Sequence, residues 1–176
     1  MSSAATSAWI LAGGAAVRYG SDKALARVGD ETLLARTARV CREAGLEVTV
    51  VARHEREGGL PTLLEADRAD RHPLHGVAAA LAAAAARGEA SALCVPCDLP
   101  DLPASTVRRL REAPAPAHAA GQRLLCHLPV GLAASAAAFA ADGAPVRAFL
   151  EAAGAVSVEV PTLSNLNRPG DAQYSK

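Results

Sequence analysis

Hydrophobic positions along this chain form short continuous runs that alternate with amphipathic segments. The run over 8–11 predicts a strand, and the β-branched segment over 47–52 predicts a second strand. Between them, apolar positions recur at three- and four-residue spacing over 32–44, which predicts a helix that ends at Gly45. The chain therefore opens with a strand–helix–strand unit.

The same alternation continues towards the carboxyl end. Further strands are predicted over 62–65, 90–95, 124–127 and 156–160, and further helices over 74–87, 104–113, 132–141 and 146–153. The segment 113–121 is predicted to be a loop that contains a strand. Apolar strands separated by helices are typical of a mainly parallel sheet that is covered on both faces. We therefore expect an α/β fold, with a doubly wound, mainly parallel sheet in three αβα layers. A single domain over 1–176 is expected, with frayed tails at 1–7 and 172–176.

Composition narrows the classes of function. Hydrophobic residues make up 51% of the chain and aromatic residues 3%, so the core must be built from Ala, Val and Leu. Lys plus Arg equals Asp plus Glu at 18 each, which argues against a nucleic-acid binder and a membrane-surface protein. No secretory signal is recognisable, and the Ala-rich run over 77–86 is shorter than the ~20 residues of a membrane span. We expect a cytoplasmic protein whose four cysteines are reduced.

A glycine-rich loop follows the first predicted strand and reads L-A-G-G-A-A-V-R-Y-G-S-D-K over 11–23. Gly13 and Gly14 lack side chains, so backbone N–H groups can approach a base or a phosphate closely. Arg18 and Lys23 add two cations within reach of a polyphosphate. The spacing matches neither the P-loop nor the fingerprint G-x-G-x-x-G. A tight turn with solvated cations is the alternative, but the combination favours phosphate binding.

An acidic segment, P-C-D-L-P-D, follows the strand predicted over 90–95. Asp98 stands at the carboxyl end of that strand, where a carboxylate can hold Mg²⁺ together with phosphate oxygens and water. Asp98 is therefore the candidate metal ligand, with a turn-forming Asp as the alternative, whereas Asp101 is predicted to be a helix N-cap or solvated. Cys94 and Cys97 form C-x-x-C without a second pair at zinc spacing, so we expect both to pack in the core.

Two further polar segments carry candidate ligand contacts. His72 and His75 stand at the start of the predicted helix over 74–87, whose N-terminus favours anions. No third ligand accompanies them, so they are expected to lie in a loop or contact an acceptor rather than bind a metal. Asn165 and Asn167 lie on one side of an extended segment, from which their carbonyl oxygens can reach a metal or phosphate site.

These motifs together resemble those of a known family. The segments L-A-G-G-x-x-x-R-x-G-x-D-K-A-L, P-L-H-G, P-C-D-L-P and N-L-N-R-P are similar in order and spacing, over 11–171, to the molybdenum cofactor guanylyltransferases within the wider nucleotidyltransferase family. The doubled glycine and the full P-C-D-x-P look more like the guanylyltransferases than the cytidylyltransferases. The resemblance implies a Rossmann-like nucleotidyltransferase fold and Mg²⁺-dependent transfer of GMP from GTP to the terminal phosphate of the molybdenum cofactor (molybdopterin), with release of pyrophosphate.

Motifs and resemblance together assign expected roles to individual residues. The expected nucleotide-binding residues are Leu11, Ala12, Gly13, Gly14, Lys23, Asp67 and Asp98, and the expected catalytic residues are Arg18, Lys23 and Asp98. Asp98 and Asn167 are the expected metal ligands, and the expected acceptor-binding residues are His75, Asn165 and Asn167. The chain departs from the family at His72, where the family has Gly, and it lacks the Asn often found just after the second strand.

Three alternatives stay open at this point. The nucleotide can be CTP, or the acceptor can be a different phosphorylated molecule. A catalytically silent nucleotide-binding partner in molybdoenzyme maturation is the alternative outside enzymes, and a dehydrogenase is disfavoured by the failed glycine fingerprint. The expected partners are GTP and molybdopterin, with transient contacts to molybdoenzyme maturation proteins as an open addition, and neither nucleic acid nor a membrane.

Overall fold

A computed structural model of the protein describes residues 7–13, 24, 26–55, 59–66 and 68–166. The strands in this part of the chain are β1 (Ser7–Leu11), β2 (Arg27–Val28), β3 (Glu31–Thr32), β4 (Glu47–Ala52), β5 (Thr62–Leu64), β6 (Ser91–Pro96), β7 (Ala117–Ala119), β8 (Gln122–Pro129) and β9 (Val156–Val158). The α-helices are α1 (Leu33–Glu43), α2 (Pro73–Ala86), α3 (Ala104–Glu112), α4 (Ala133–Ala141) and α5 (Val146–Ala152). The predicted strands and helices are all found, and only β8 is longer than predicted by more than one residue at an end.

The main sheet has the strand order β5-β4-β1-β6-β8-β7-β9. β1 pairs in parallel with β4 and β6, as do β4 with β5 and β7 with β9, whereas β8 runs antiparallel to β6 and β7. The chain passes from β1 outwards to β4 and β5 and then crosses back to β6 on the other side of β1. Such a reversal of strand order creates a crevice at the carboxyl ends of the central strands.

Side chains alternate between the two faces of the sheet and form two apolar layers. Ile10 on β1 belongs to the layer that includes α1 and α3, while its neighbour Trp9 belongs to the layer that includes α2, α4 and α5. Both side chains are fully buried. The predicted three-layer αβα architecture, with a doubly wound and mainly parallel sheet, is therefore confirmed.

The direction of β8 is the main feature that the hydrophobic pattern did not predict. β7 and β8 are joined by the tight turn at 120–121, and Gly121 adopts a positive φ of 76° there. A connection of this length can only join antiparallel strands, because a parallel pair needs a crossover of a dozen or more residues. As a result, the first residues of β8 lie at the same edge of the sheet as the last residues of β6.

The short β2–β3 ribbon, also not predicted, leads from the first loop into α1. Val28 and Leu33 form a small apolar cluster with Leu166 from the carboxyl-terminal segment. Thr32 caps α1, because its side-chain oxygen accepts a hydrogen bond from the Ala35 N–H at 3.1 Å. The cluster thus ties residue 166 to the start of the first helix. None of the helices in the described part of the chain combines the length and apolarity that a bilayer span requires.

Candidate functional site

A cavity of about 320 Å³ opens at the edge of the sheet where β1, β4, β5 and β6 end. It is lined by Leu11, Ala12, Gly13, Ala24, Val51, Arg53, Glu65, Arg71, His72, Pro73, Gly76, Pro96, Cys97, Asp98 and Leu124. Its position is the one in which open α/β sheets bind ligands. Four of the predicted nucleotide-binding residues, Leu11, Ala12, Gly13 and Asp98, are therefore brought together at one cavity.

A carboxylate that the sequence analysis missed occupies part of this cavity. An ideal Cβ added at Gly13 would lie 2.0 Å from Oε2 of Glu65, and one added at Gly76 would lie 3.2 Å from Oε1. The backbone N–H of Glu65 donates to the Ala52 carbonyl at 2.8 Å, which continues the pairing between β4 and β5. Glu65 is thus held just beyond β5, with its carboxylate between the two glycines. Its position directly after an apolar strand is the signal that could have identified it.

The segment before α2 is held against the cavity by Arg53, which follows β4. The two terminal nitrogens of Arg53 donate to the carbonyls of Arg68 at 3.2 Å and Asp70 at 3.0 Å. Its Nε is buried and has no hydrogen-bond partner among the described residues. Arg53 therefore holds the neighbouring loop in place. It also lines the cavity, and its Nε–H is a donor group without a partner among the described residues.

The two candidate histidines lie in different places. His72 is the N-cap of α2, its Nδ1 accepts from the Leu74 N–H at 3.3 Å, and its side chain lines the cavity. His75 instead contacts the Asp70 carboxylate through Nε2, and this hydrogen bond holds the pKa of Asp70 below its usual range. Among the described residues, His72 lines this cavity, whereas His75 lines neither this cavity nor the one beside it. The acceptor contact of His75 stays a prediction.

Asp98 lies on a second cavity as well as on the first. The second cavity has a volume of about 570 Å³ and is lined by Pro96, Asp98, Gln122, Arg123, Leu124, Pro145, Val146, Arg147 and Asn165. Pro96, Asp98 and Leu124 line both cavities, which are therefore adjacent along the edge of β6 and β8. The half-buried carboxylate of Asp98 thus stands between two spaces that open at the same edge of the sheet.

The carboxyl-terminal segment brings Asn165 to Asp98. The Asn165 side chain donates from Nδ2 to Oδ2 of Asp98 at 3.4 Å, and its Oδ1 accepts from Nε2 of Gln122. The same Gln122 nitrogen donates to the Leu163 carbonyl at 3.3 Å, and the Leu166 N–H donates to the Asp98 carbonyl at 2.9 Å. The sequence predicted that the carbonyl oxygen of Asn165 would reach this site, whereas the amide nitrogen is the group that contacts the carboxylate.

Asp101 does not cap a helix, so that alternative of the prediction was wrong. The N-cap of α3 is Pro103, which makes no side-chain capping bond. Both carboxylate oxygens of the exposed Asp101 accept from the Ser164 N–H at 3.1 Å. The reason is that the chain returns from β9 across this loop and presents an N–H group that local sequence spacing cannot reveal. Asp101 therefore helps to hold the segment that carries Asn165.

The donor groups around Asp98 fit a magnesium ion better than a zinc or redox centre. Mg²⁺ uses one or two protein carboxylates and takes its other ligands from phosphates and water. No cluster of three or more His, Cys, Asp or Glu suited to a metal occurs within the described ranges. The four cysteines are free and buried, and burial raises the pKa of the Cys41 thiol to about 12. The predicted core packing of Cys94 and Cys97 is confirmed.

Five predicted site residues lie outside the described residues. They are Gly14, Arg18, Lys23, Asp67 and Asn167. Their roles in phosphate, nucleotide, metal and acceptor binding stay predictions. The described lining of the two cavities comes mainly from strand ends, from the starts of α2 and α5, and from Asn165.

Known proteins share both sequence and architecture with this chain. A relative from Opitutus terrae, named as a probable molybdenum cofactor guanylyltransferase, is 39% identical over 107 residues that cover 59% of this chain and 53% of the relative. The chain spans about half the length of the curated relatives it matches.

The similarity to solved structures covers nearly the whole chain. Molybdopterin-guanine dinucleotide biosynthesis protein A from Archaeoglobus fulgidus has a TM-score of 0.71 at 16% identity, over 95% of each chain. A nucleotidyl transferase from Methanothermobacter thermautotroptrophicus has a TM-score of 0.72 at 20% identity, over 95% of this chain and 94% of that one. These structural similarities show the fold. Because the family model of the MobA-like NTP transferase domain matches residues 8–157, the chain belongs to that family.

Proposed function

We propose that this protein transfers GMP from GTP to the terminal phosphate of the molybdenum cofactor in a Mg²⁺-dependent reaction. The observation that carries the proposal is the position of Asp98 on both cavities at the carboxyl edge of the sheet. A nucleotide in the first cavity and a phosphorylated acceptor in the second would meet at this carboxylate. Family membership and the name of the Opitutus terrae relative support the same reaction.

The chemistry requires positioning rather than a general base. An oxygen of the acceptor's phosphate monoester attacks the α-phosphorus of GTP, the bond from that phosphorus to the bridging oxygen breaks, and pyrophosphate leaves. A phosphate monoester is already ionised at pH 7, so no side chain has to remove a proton. The cleft has to align the two substrates and offset negative charge on the α-phosphate and the leaving group.

Particular residues would hold the metal and the phosphates. Asp98 is the proposed Mg²⁺ ligand, with Asn167 as a second one, and the ion when bound offsets charge on the triphosphate. Arg18 and Lys23 are the proposed cations for the phosphates. Asn165, which contacts Asp98 in the structure, is the proposed acceptor-side residue.

Glu65 supports GTP over CTP as the nucleotide. A carboxylate can accept hydrogen bonds only, and the Watson–Crick edge of guanine offers two neighbouring donors, N1–H and the 2-amino group. The corresponding edge of cytosine offers one amino donor beside acceptor atoms, which a carboxylate would face without a hydrogen bond. Glu65 lies inside the first cavity, between Gly13 and Gly76, and is therefore the proposed guanine-binding residue.

Pyrophosphate release by the purified protein tests this proposal. The assay contains Mg²⁺ and molybdenum cofactor and compares GTP, CTP, ATP and UTP. We expect release with GTP, and at least a hundredfold lower rate for Asp98→Asn, with the thermal unfolding temperature of each variant measured alongside. The matched control is Asp142→Asn, since this exposed acid follows α4 and lines neither cavity among the described residues.

Each other outcome contradicts a defined part of the proposal. A preference for CTP would retain the transfer reaction and refute the role of Glu65. No release with any nucleotide, together with measurable GTP binding, would refute the enzyme and support a silent nucleotide-binding partner. A normal rate in Asp98→Asn would refute the assignment of the reacting site.

A further inference from the structure

The second cavity carries two arginines to which neither the motifs nor the family resemblance assigned a role. Arg123 comes from the start of β8 and Arg147 from the first turn of α5. Both line the second cavity together with Asp98. Two guanidinium groups at one cleft, next to a proposed phosphoryl-transfer centre, indicate an anionic ligand.

The two arginines differ in how they are engaged. Arg123 is exposed, and its guanidinium group makes no hydrogen bond or ion pair with another described residue. Arg147 forms an ion pair with Glu151 one helical turn away, at 2.9 Å, with 62% and 61% of the two side chains exposed. An exposed pair of this kind contributes little to stability, so an anion in the cavity can replace Glu151 at low cost.

The chain next to Arg123 is held in place through Gln122. Its neighbour Gln122 uses its side-chain nitrogen to bind the Leu163 carbonyl and the Asn165 side chain. On the β7 side Gln122 pairs with Ala119, whereas the residues of β8 that pair with β6 are 126–129. The cation therefore stands next to a residue that is fixed by Leu163 and Asn165, and Asn165 in turn contacts Asp98.

We propose that Arg123 and Arg147 bind the terminal phosphate monoester of the acceptor and place it beside Asp98. This inference rests on the proposed nucleotidyl transfer and names two acceptor-binding residues within it. A dianionic phosphate that approaches a triphosphate, Asp98 and Glu65 meets repulsion from each of them. Two guanidinium groups offset this repulsion, and the planar fork of an arginine matches two phosphate oxygens at once.

Steady-state kinetics with single variants tests the inference. Arg123→Ala and Arg147→Ala should each raise the KM for the molybdenum cofactor about tenfold, as expected for one lost charge-assisted contact, and leave the KM for GTP unchanged. The wild-type acceptor KM should rise with salt concentration, and this dependence should be weaker in both variants. Arg123→Lys should recover part of the loss because it restores the charge without the fork.

Arg109→Ala is the matched control, since Arg109 is an exposed arginine on α3, which packs on the other face of the sheet. It should change neither KM nor the salt dependence. Equilibrium dialysis of metal-free molybdopterin, without any nucleotide, measures acceptor affinity independently of turnover. Arg123→Ala and Arg147→Ala should bind it about tenfold more weakly than the wild type does.

The possible failures are distinguishable. If the wild type transfers GMP and both variants retain the wild-type acceptor affinity and KM, the arginine site is refuted and the proposed function stands. If the wild type releases no pyrophosphate but binds molybdopterin through these arginines, the transfer reaction is refuted and the site stands. If the wild type does not bind molybdopterin at all, the inference is overturned.

Discussion

Replacement of Gly13 by alanine separates the stability of the fold from the proposed use of Glu65. The added Cβ would lie 2.0 Å from Oε2 of Glu65 and 3.1 Å from its Cδ. Ordinary van der Waals contact begins at 3.4 Å, so the carboxylate oxygen must retreat by about 1.4 Å. Because the obstructing atom is the end of a flexible side chain, the protein can relieve the contact by a change of side-chain rotamer.

This geometry sets different magnitudes for stability and for binding. A χ angle held about 30° from its rotamer costs about 0.5–1.5 kcal/mol, so even an imperfect new rotamer of the half-buried glutamate should decrease the free energy of unfolding by no more than that. The displaced carboxylate would lose the two hydrogen bonds to guanine that are proposed for it. Each hydrogen bond to a charged group contributes about 1.5–3 kcal/mol, so the loss of two should decrease the GTP affinity at least about a hundredfold.

Titration with GTP in a calorimeter, together with urea unfolding, measures both quantities in one preparation. The matched control is Gly131→Ala, because a Cβ at Gly131 meets no atom within 4 Å and the residue does not have a positive φ. Gly131→Ala should bind GTP like the wild type. An unchanged GTP affinity in Gly13→Ala would refute the inference that Glu65 contacts the base. A decrease of several kcal/mol in the free energy of unfolding would show that the Glu65 side chain cannot move away from the added Cβ.

Three further predictions concern the stability of the fold. Leu81→Ala should lower the free energy of unfolding by about 2–5 kcal/mol in urea, because Leu81 is fully buried on α2, and a loss below 1 kcal/mol would contradict this. Burial lowers the pKa of His127, whose Nδ1–H donates to the Ala113 carbonyl at 3.0 Å and whose Nε2 accepts from the Ser91 hydroxyl at 2.8 Å. On acidification the imidazole of His127 therefore takes up a proton in the unfolded chain before it does so in the folded protein. The free energy of unfolding should fall as the pH drops below about 6.5. Urea unfolding from pH 5 to 8 should show a shallower fall for His127→Gln. Leu166→Ala should speed amide hydrogen exchange over 163–166, measured by mass spectrometry, with little change in global stability. The same protection in the variant as in the wild type would show that the buried Leu166 does not anchor this segment.

Much of the fold follows from local patterns that the sequence states directly. The β-branched run of β4 and the spacing of apolar residues in α1 specify their element types, because a strand and an amphipathic helix expose side chains with different periods. Gly45 and Gly88 end their helices with a positive φ, as their positions in the sequence predict. Asp98 could be identified because it lies two residues beyond the end of an apolar strand.

Other features depend on residues that are distant in sequence. The contact between Asn165 and Asp98 joins residues 67 positions apart, and no local spacing reveals it. The alignment of Glu65 between Gly13 and Gly76 likewise requires three separate elements to meet at one edge. Sequence reasoning by resemblance selected Asp67 instead, which lies outside the described residues.

The sequence by itself determined the alternation of strands and helices, the three-layer architecture and the acidic strand end at which the candidate site lies. The tertiary structure alone decided the antiparallel direction of β8, which brings Gln122 and Arg123 to the edge that carries Asp98. The physical reason is that hydrophobic periodicity records which face of an element is buried. It does not record strand order or direction, and these decide which strand ends share a cavity.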